Sequence, residues 1–298
     1  MTTHQKIQNV GGQAVIEGVM MRSPKHWTVA VRDQKGEIHH LREQLTELPR
    51  FLKLPLVRGG VALIQALYLG VRAIEYSAGK VYEEDGGTTM SRISLVLTMI
   101  VAFLLGIGLF ILLPLYMTKL VGMTFEGVEK SSFLFNFVDG IIRVLIFLCY
   151  VVSIGMWKEM ARIFMYHGAE HKVIHAYERG MELTLDNVRS YSPLHPRCGT
   201  SFLMIVMVVS ILVFSFIPQQ WPFIIKFLSR IVLIPLIAGA SFELLKLSAK
   251  WDHHPLMHFL IMPGLMLQRL TTREPDDAQL EVALSALIEV LKLEDVNA

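Results

Sequence analysis

Charge is the commodity this chain has least of for its size. Only 18% of its 298 residues are Asp, Glu, Lys or Arg, against about 25% in a soluble globular domain. The shortage is uneven: charges are plentiful in residues 1–92, 158–200 and 246–298 and sparse between them. With 53% hydrophobic residues and a mean hydropathy of +0.47, that distribution argues against a single soluble domain and for membrane spans joined by wet segments. Cysteine is scarce too. Cys149 lies in an apolar run and Cys198 in a polar loop, with no CxxC pair, which excludes a disulfide framework and suits a reducing compartment. Met1–Val10 is polar and lacks a basic segment followed by an apolar core, so no cleaved signal peptide is expected and the first span does the targeting. No Lys/Arg run is dense enough for a nucleic-acid partner, and the net charge of +2 points to no other. No internal repeat appears, whereas repeats are usual in transporters.

Four segments read as spans. Ile93–Met117 carries no charge over about 25 residues, and at roughly 1.5 Å per residue exceeds the roughly 30 Å hydrocarbon core. Phe133–Trp157 is interrupted by Asp139 and Arg143, Ser201–Ile217 is short but uncharged, and Phe223–Phe242 holds Lys226, Arg230 and Pro235. Pro218–Pro222 joins the last two as a hairpin, with Trp221 suited to an interface. Two weaker runs, 59–71 and 256–267, read as interfacial or re-entrant segments, the second broken at Pro263–Gly264. Asp139 and Arg143, four apart, can pair on one helix face, either along a transport path or as a snorkelling pair. Lys and Arg concentrate in the N-terminal segment and in 158–200, which places both termini in the cytoplasm.

The wet parts carry their own signals. Thr28–Arg32 and Glu37–Leu41 flank Asp33-Gln34-Lys35-Gly36 and read as a β-hairpin. Before it, Gly11, Gly12, Gln13, Glu17 and Gly18 form a glycine-rich block that reads as strand and turn. Residues 158–179 contain no proline and read as a helical extension of the second span, followed by a turn at Gly180 and a short helix capped by Asp186. Asp276–Leu293 places Leu280, Ala283, Leu284, Leu287 and Leu291 at helical spacing, a helix that docks on the wet domain. The expectation is a mainly α polytopic membrane protein with four transmembrane helices, two short interfacial or re-entrant segments and a small α+β cytoplasmic module. Its segments are an N-terminal module (1–92), spans one and two (93–157), a His-rich loop (158–200), spans three and four (201–245) and a tail (246–298).

The densest chemistry is His167-Gly168-Ala169-Glu170-His171, followed by His175. Spacing of i, i+4, i+8 puts the three imidazoles on one helical stripe, and histidines four apart can share one divalent metal. One straight helix cannot bring all three to one ion, because i to i+8 spans about 12 Å. His-x-x-Glu-His is also the inverzincin pattern, in which Glu170 would be the general base. The alternative is a solvated helix face near the headgroups. His195 and Cys198 precede span three, and His253 and His254 follow span four, so all flank span ends on one leaflet. The reading is a zinc-dependent hydrolase at the cytoplasmic membrane face. His167 and His171 are ligands, Glu170 is the catalytic base, and the third ligand is open among His175, His195, Cys198, His253 and His254. Arg58 and Arg197 could hold an anionic substrate group. The rival is a non-catalytic adaptor or regulator that binds another membrane complex, such as a translocon or membrane protease.

Four blocks carry a family resemblance: Gly11–Pro24, Pro55–Gly60, His167–Lys172 and His195–Phe202. Together they resemble the signature stretches of the YqhQ-like bacterial membrane proteins, over about residues 7–273. The resemblance implies a multi-pass plasma-membrane protein and a metal-dependent enzyme, and leaves the reaction open.

Overall fold

The computed structural model describes residues 9–82, 92–250 and 255–296. Four strands, β1 (Gly11–Val15), β2 (Gly18–Arg22), β3 (His26–Arg32) and β4 (Ile38–Gln44), form an antiparallel sheet in chain order. The expected hairpin is β3–β4. Gly36 takes φ 88°, its N–H donates to Asp33 O at 3.1 Å, and Arg32 faces Ile38. The glycine-rich block forms the β1–β2 hairpin, turned at Glu17 with φ 48°.

The helices are α1 (Val57–Tyr82), α2 (Arg92–Ile107), α3 (Leu113–Thr124), α4 (Glu126–Lys130), α5 (Ser132–Gly155) and α6 (Lys158–Glu178). They continue with α7 (Leu185–Arg189), α8 (Gly199–Phe214), α9 (Phe223–Lys250), α10 (Pro255–Thr271) and α11 (Asp277–Val296). A 3-10 turn at Arg50–Lys53 precedes α1, and a π-turn at Gly108–Leu112 joins α2 to α3 without a stop.

Side chains alternate across a strand with period two, and here both faces of the central strands are covered. Val19, Met21 and Ala30 face a core built with Tyr166, Ala169 and Val173 of α6 and Leu280, Ala283 and Leu287 of α11. Met20, Trp27, Val29 and Val31 face Leu69, Ala73 and Val81 of α1. The sheet is therefore a filling between α1 on one side and α6 with α11 on the other. The expected tail helix docks as read, and polar bonds fix its register. Glu294 accepts from Ser23 Oγ (2.5 Å) and Lys25 N (2.8 Å), and Thr28 Oγ1 donates to Ala286 O (2.8 Å).

Among the described residues, four helices are long and apolar enough to cross a membrane: α1, the path Val96–Thr124, α5, and α9 through Ser248. Three of these cover expected spans; α1 is long enough although it is not among the expected ones, and the expected third span falls short of this length. The apolar run 59–71 understates α1, because the helix continues through Arg72, Glu75 and Lys80 to 26 residues. The expected third span forms α8, only 16 residues, or roughly 24 Å. Three smaller readings also change. The second span does not run on into α6: Met156–Trp157 interrupts it, with Trp157 extended at ψ 137°. The α7 N-cap is Thr184, whose Oγ1 accepts from Asn187 N, with Asp186 inside the first turn. Pro263–Gly264 does not break α10, which packs there against Ser201 of α8.

Asp139 and Arg143 do pair, but neither snorkels. Asp139 is fully buried and accepts from Arg143 Nη2 (2.6 Å) and from Arg230 Nη1 of α9 (2.5 Å). Arg143 also donates to Ser210 Oγ of α8 (3.0 Å), Arg230 to Asn136 Oδ1 (3.1 Å), and both guanidinium groups lie over the Phe214 ring. One carboxylate thus ties α5, α8 and α9 together.

Candidate metal centre

Helix α6 supplies the stripe. Its buried face turns His167 and His171 toward the 190–198 loop and the end of α10, with ring centroids 4.4 Å apart. His167 Nδ1 lies 2.8 Å from Thr271 O and His171 Nδ1 lies 2.6 Å from Pro193 O. A carbonyl can only accept, so each Nδ1 carries the proton and each Nε2 keeps its lone pair. His167 Nε2 meets Cys198 Sγ at 3.1 Å. His171 Nε2 is buried and has no hydrogen-bond partner among the described residues. The donor atoms of His167, His171 and Cys198 lie within 4.8 Å of one another.

Cys198 is the N-cap of α8, and its sulfur accepts from Thr200 N (3.4 Å) and Thr200 Oγ1 (3.3 Å). Both bonds come from the first turn of the helix, whose N-terminus turns partial positive charge toward the sulfur. Burial pushes the His171 pKa down, against the opposing pull of the Cys198 sulfur, which keeps the imidazole neutral and free to ligate. Two imidazole Nε2 atoms and one sulfur, with tautomers set by backbone carbonyls, fit a divalent metal of the zinc type.

A second group, His175, Glu178 and His195, is equally compact but fails the same test. His195 Nδ1 accepts Arg197 N–H (3.2 Å), so Nε2 holds the proton and donates to Glu178 Oε2 (3.2 Å). Neither nitrogen of His195 is open. His175 Nε2 donates to Leu194 O (2.8 Å), and Arg197 pairs with Glu178 (2.6 Å). Burial depresses the pKa of both histidines. Burial would raise Glu178, but the His195 hydrogen bond and the charges of His195 and Arg197 hold it below the usual carboxylate range. This is a hydrogen-bonded support for the loop.

Glu170 is not in the donor group. Its side chain is buried against β1, and a Cβ on Gly12 would lie 2.8 Å from its Cγ, Cδ and Oε1. Burial raises its pKa to about 7, countered by the charge of His167 and the Gly12 backbone hydrogen bond. Other residues of the glycine-rich block brace the helices. Glu17 accepts from Arg162 Nε and Nη2 (both 2.5 Å) and from Tyr166 OH (3.2 Å). Gln13 fills the space beside Gly70, and Gly18 lies against the Ala30 carbonyl; a Cβ on Gly11, which pairs with Arg22 of β2, would meet open space. Arg58 is committed to Glu243 of α9 in a two-pronged ion pair, and Arg197 to Glu178. His253 and His254 lie outside the described residues.

Sequence reasoning missed the supports. Gln268 of α10 takes His195 N–H on Oε1 (2.8 Å) and donates Nε2 to His195 O (2.8 Å), which pins the loop from below. The Thr271 and Pro193 carbonyls leave no trace in a sequence, because every residue has one.

A family profile described as "Protein of unknown function (DUF1385)" matches residues 54–293. "Uncharacterized protein YqhQ" of Bacillus subtilis (strain 168) is 33% identical over 312 residues, covering 100% of this chain and 96% of that protein. No solved structure matches. The profile spans most of the chain and includes every donor of the candidate centre, so the chain belongs to the DUF1385 family, as its resemblance to YqhQ-like proteins implied.

Proposed function

We propose that His167, His171 and Cys198 hold a zinc ion, and that the protein is a metal-dependent hydrolase at the cytoplasmic face of a bacterial plasma membrane. The carrying observation is the donor set: two imidazoles whose Nδ1–H groups are spent on carbonyls, one of them with a buried, unpartnered Nε2, facing one sulfur. Zinc bound by three protein donors acts as a Lewis acid on carbonyl or phosphoryl oxygens and activates water. The chain does the rest. The Thr271 and Pro193 carbonyls hold the two rings in one tautomer, and Thr200 steadies the sulfur. Glu170, adjacent to His171 in the inverzincin pattern, would take the proton of the attacking water and return it to the leaving group; its carboxyl lies buried against β1 beside Gly12, with a pKa raised to about 7.

Parity supports the topology. The sheet, α6 and α11 share one core, so they lie on one side of the membrane. The chain between β4 and α6 must then cross an even number of times. The path Val96–Thr124 and α5 supply two crossings, which leaves α1 at the surface rather than across. Between α6 and α11, α9 needs one companion, which α8 provides through the Pro218–Pro222 turn. The Lys/Arg bias puts the shared side in the cytoplasm.

One observation favours the rival. His171 and Cys198 are buried, as in structural zinc sites, and a metal that only holds the fold would suit an adaptor for another membrane complex. The test is metal analysis of the purified full-length protein. His167→Ala and Cys198→Ser should each abolish stoichiometric zinc, and retained zinc in either refutes the centre. Glu170→Gln should keep the metal while losing in-cell function by about 10²–10⁴-fold; unchanged function leaves the adaptor reading in its place.

A further inference from the structure

The cleft where the sheet meets the entry to α1 is unusual in its charge. It encloses about 300 Å³ between the end of β2, the start of β3, the 44–48 segment and the 3-10 turn. Three of its lining residues are cations, Arg22, Lys25 and Lys53, and one, Glu47, is an acid. Arg22 is half-buried, and its Nη2 donates to the neutral Gln65 side chain (2.7 Å). Among the described residues no carboxylate forms an ion pair with any of the three. A concave site with excess positive charge and a half-buried guanidinium fits a phosphate.

What stands beside the cleft says which phosphate. The 3-10 turn and the elbow into α1 expose Phe51 (65%), Leu54 (56%), Leu56 and Val57. Beyond them α1 exposes Ile64, Leu67 and Tyr68 on the side away from the sheet. An apolar face rimmed by Lys and Arg is the pattern of a helix lying in the membrane interface. The elbow's depth is fixed by α9. Gly59 and Gly239 let the two backbones touch: a Cβ on Gly59 would lie 2.7 Å from Gly239 Cα. Leu56, held at φ 65°, donates its N–H to Glu243 Oε1 (3.3 Å). Glu243 is the first charged residue after the uncharged run 231–242 of α9, which is where such a run leaves the hydrocarbon. The elbow therefore sits at headgroup level.

We propose that this cleft binds the phosphate of an anionic membrane lipid, with Arg22, Lys25 and Lys53 around the phosphate and Phe51 and Leu54 in the acyl boundary. The proposal rests on the surface placement of α1 and is independent of the metal centre. Full-length protein would be placed in nanodiscs of mixed phosphatidylglycerol and phosphatidylcholine, and its retained lipids read by native mass spectrometry. Wild type should keep phosphatidylglycerol in preference. At about fivefold per basic residue near a surface, Arg22→Gln with Lys53→Gln should weaken retention about twenty-fivefold, while Lys53→Gln alone, at an exposed site, should weaken it about fivefold with an unchanged melting temperature. Added inorganic phosphate should not displace the lipid; displacement would mark a free-anion site instead. Equal retention by the variants, or equal retention of both lipids, overturns the proposal. Amide exchange of wild-type residues 50–57 gives a readout without mutation: it should be slower with phosphatidylglycerol than with phosphatidylcholine alone, and equal exchange counts against the site.

Discussion

Replacing Asp139 by Asn tests how the helices of the apolar body are held. The carboxylate is fully buried and accepts from two guanidinium groups at 2.6 and 2.5 Å. Asn preserves its shape and removes its charge, so the three side chains go from a formal +1 (two Arg, one Asp) to +2. Breaking a buried ion pair by removing one partner costs about 3–5 kcal/mol. The remaining amide oxygen can still accept one charged hydrogen bond, worth about 1.5–3 kcal/mol, but it cannot serve both arginines. The expected loss is about 3–4 kcal/mol, a shift of more than two decades in the folded-to-unfolded ratio at about 1.4 kcal/mol per decade. Ser210→Ala removes a single hydrogen bond to Arg143 and should cost about 1.5 kcal/mol. Reversible unfolding of the detergent-solubilised protein measures both. If Asp139→Asn loses under about 1 kcal/mol, or no more than Ser210→Ala, the carboxylate is not the tie between α5, α8 and α9.

Leu287 is fully buried between α11, the sheet and α6, so Leu287→Ala should cost about 2–5 kcal/mol. Amide exchange should accelerate in β2, β3 and α6 and stay unchanged in α5; an effect spread evenly over the chain would contradict a separate wet core. Glu294 should give the docking of α11 an acid limit. Burial would raise its pKa, yet bonds from Ser23, Lys25 N–H and His26 hold it below the ordinary value. A carboxylate lowered on folding stabilises above its unfolded pKa of about 4.3, and that contribution is lost as pH falls through the folded value. Near-ultraviolet dichroism should show the module loosening below about pH 4, and Glu294→Gln should remove this step.

Local signals were legible and non-local ones were not. The β3–β4 hairpin could be read because its turn residues sit between two alternating runs, and the docked tail because Leu280, Ala283, Leu284 and Leu287 repeat at helical spacing. The extent of α1 could not. Its polar residues Arg72 and Glu75 look like an end to an apolar run, whereas Arg72 pairs with Glu43 of β4 (2.6 Å) and the helix goes on beneath the sheet. That His167 and His171 share one face of a helix could be read from their spacing, and their rings do meet. That Cys198 lies with them while His195 is turned to Glu178 depends on Arg197 N–H occupying His195 Nδ1 and on Thr200 holding the sulfur, neither of which spacing reveals. The glycine-rich block stood out in the sequence, but its purpose emerges only when Gly12 is seen to leave room for Glu170, some 158 residues away in the chain.

The order in which the wet core is assembled has a consequence for its synthesis. The sheet is complete by Gln44, yet one of its faces is closed by α11, which begins at Asp277. At about 5–20 residues per second, the ribosome needs roughly 12–47 s to deliver the covering helix after the strands emerge. During that interval Val19, Met21 and Ala30 have no partner from α11, while the long apolar helices between the sheet and α11 are still being made. A chain stalled before residue 277 would present the membrane-insertion machinery with an unfinished sheet beside finished spans. Quality control of this protein should therefore read the state of its sheet module, because the apolar helices give no sign of whether the tail has arrived.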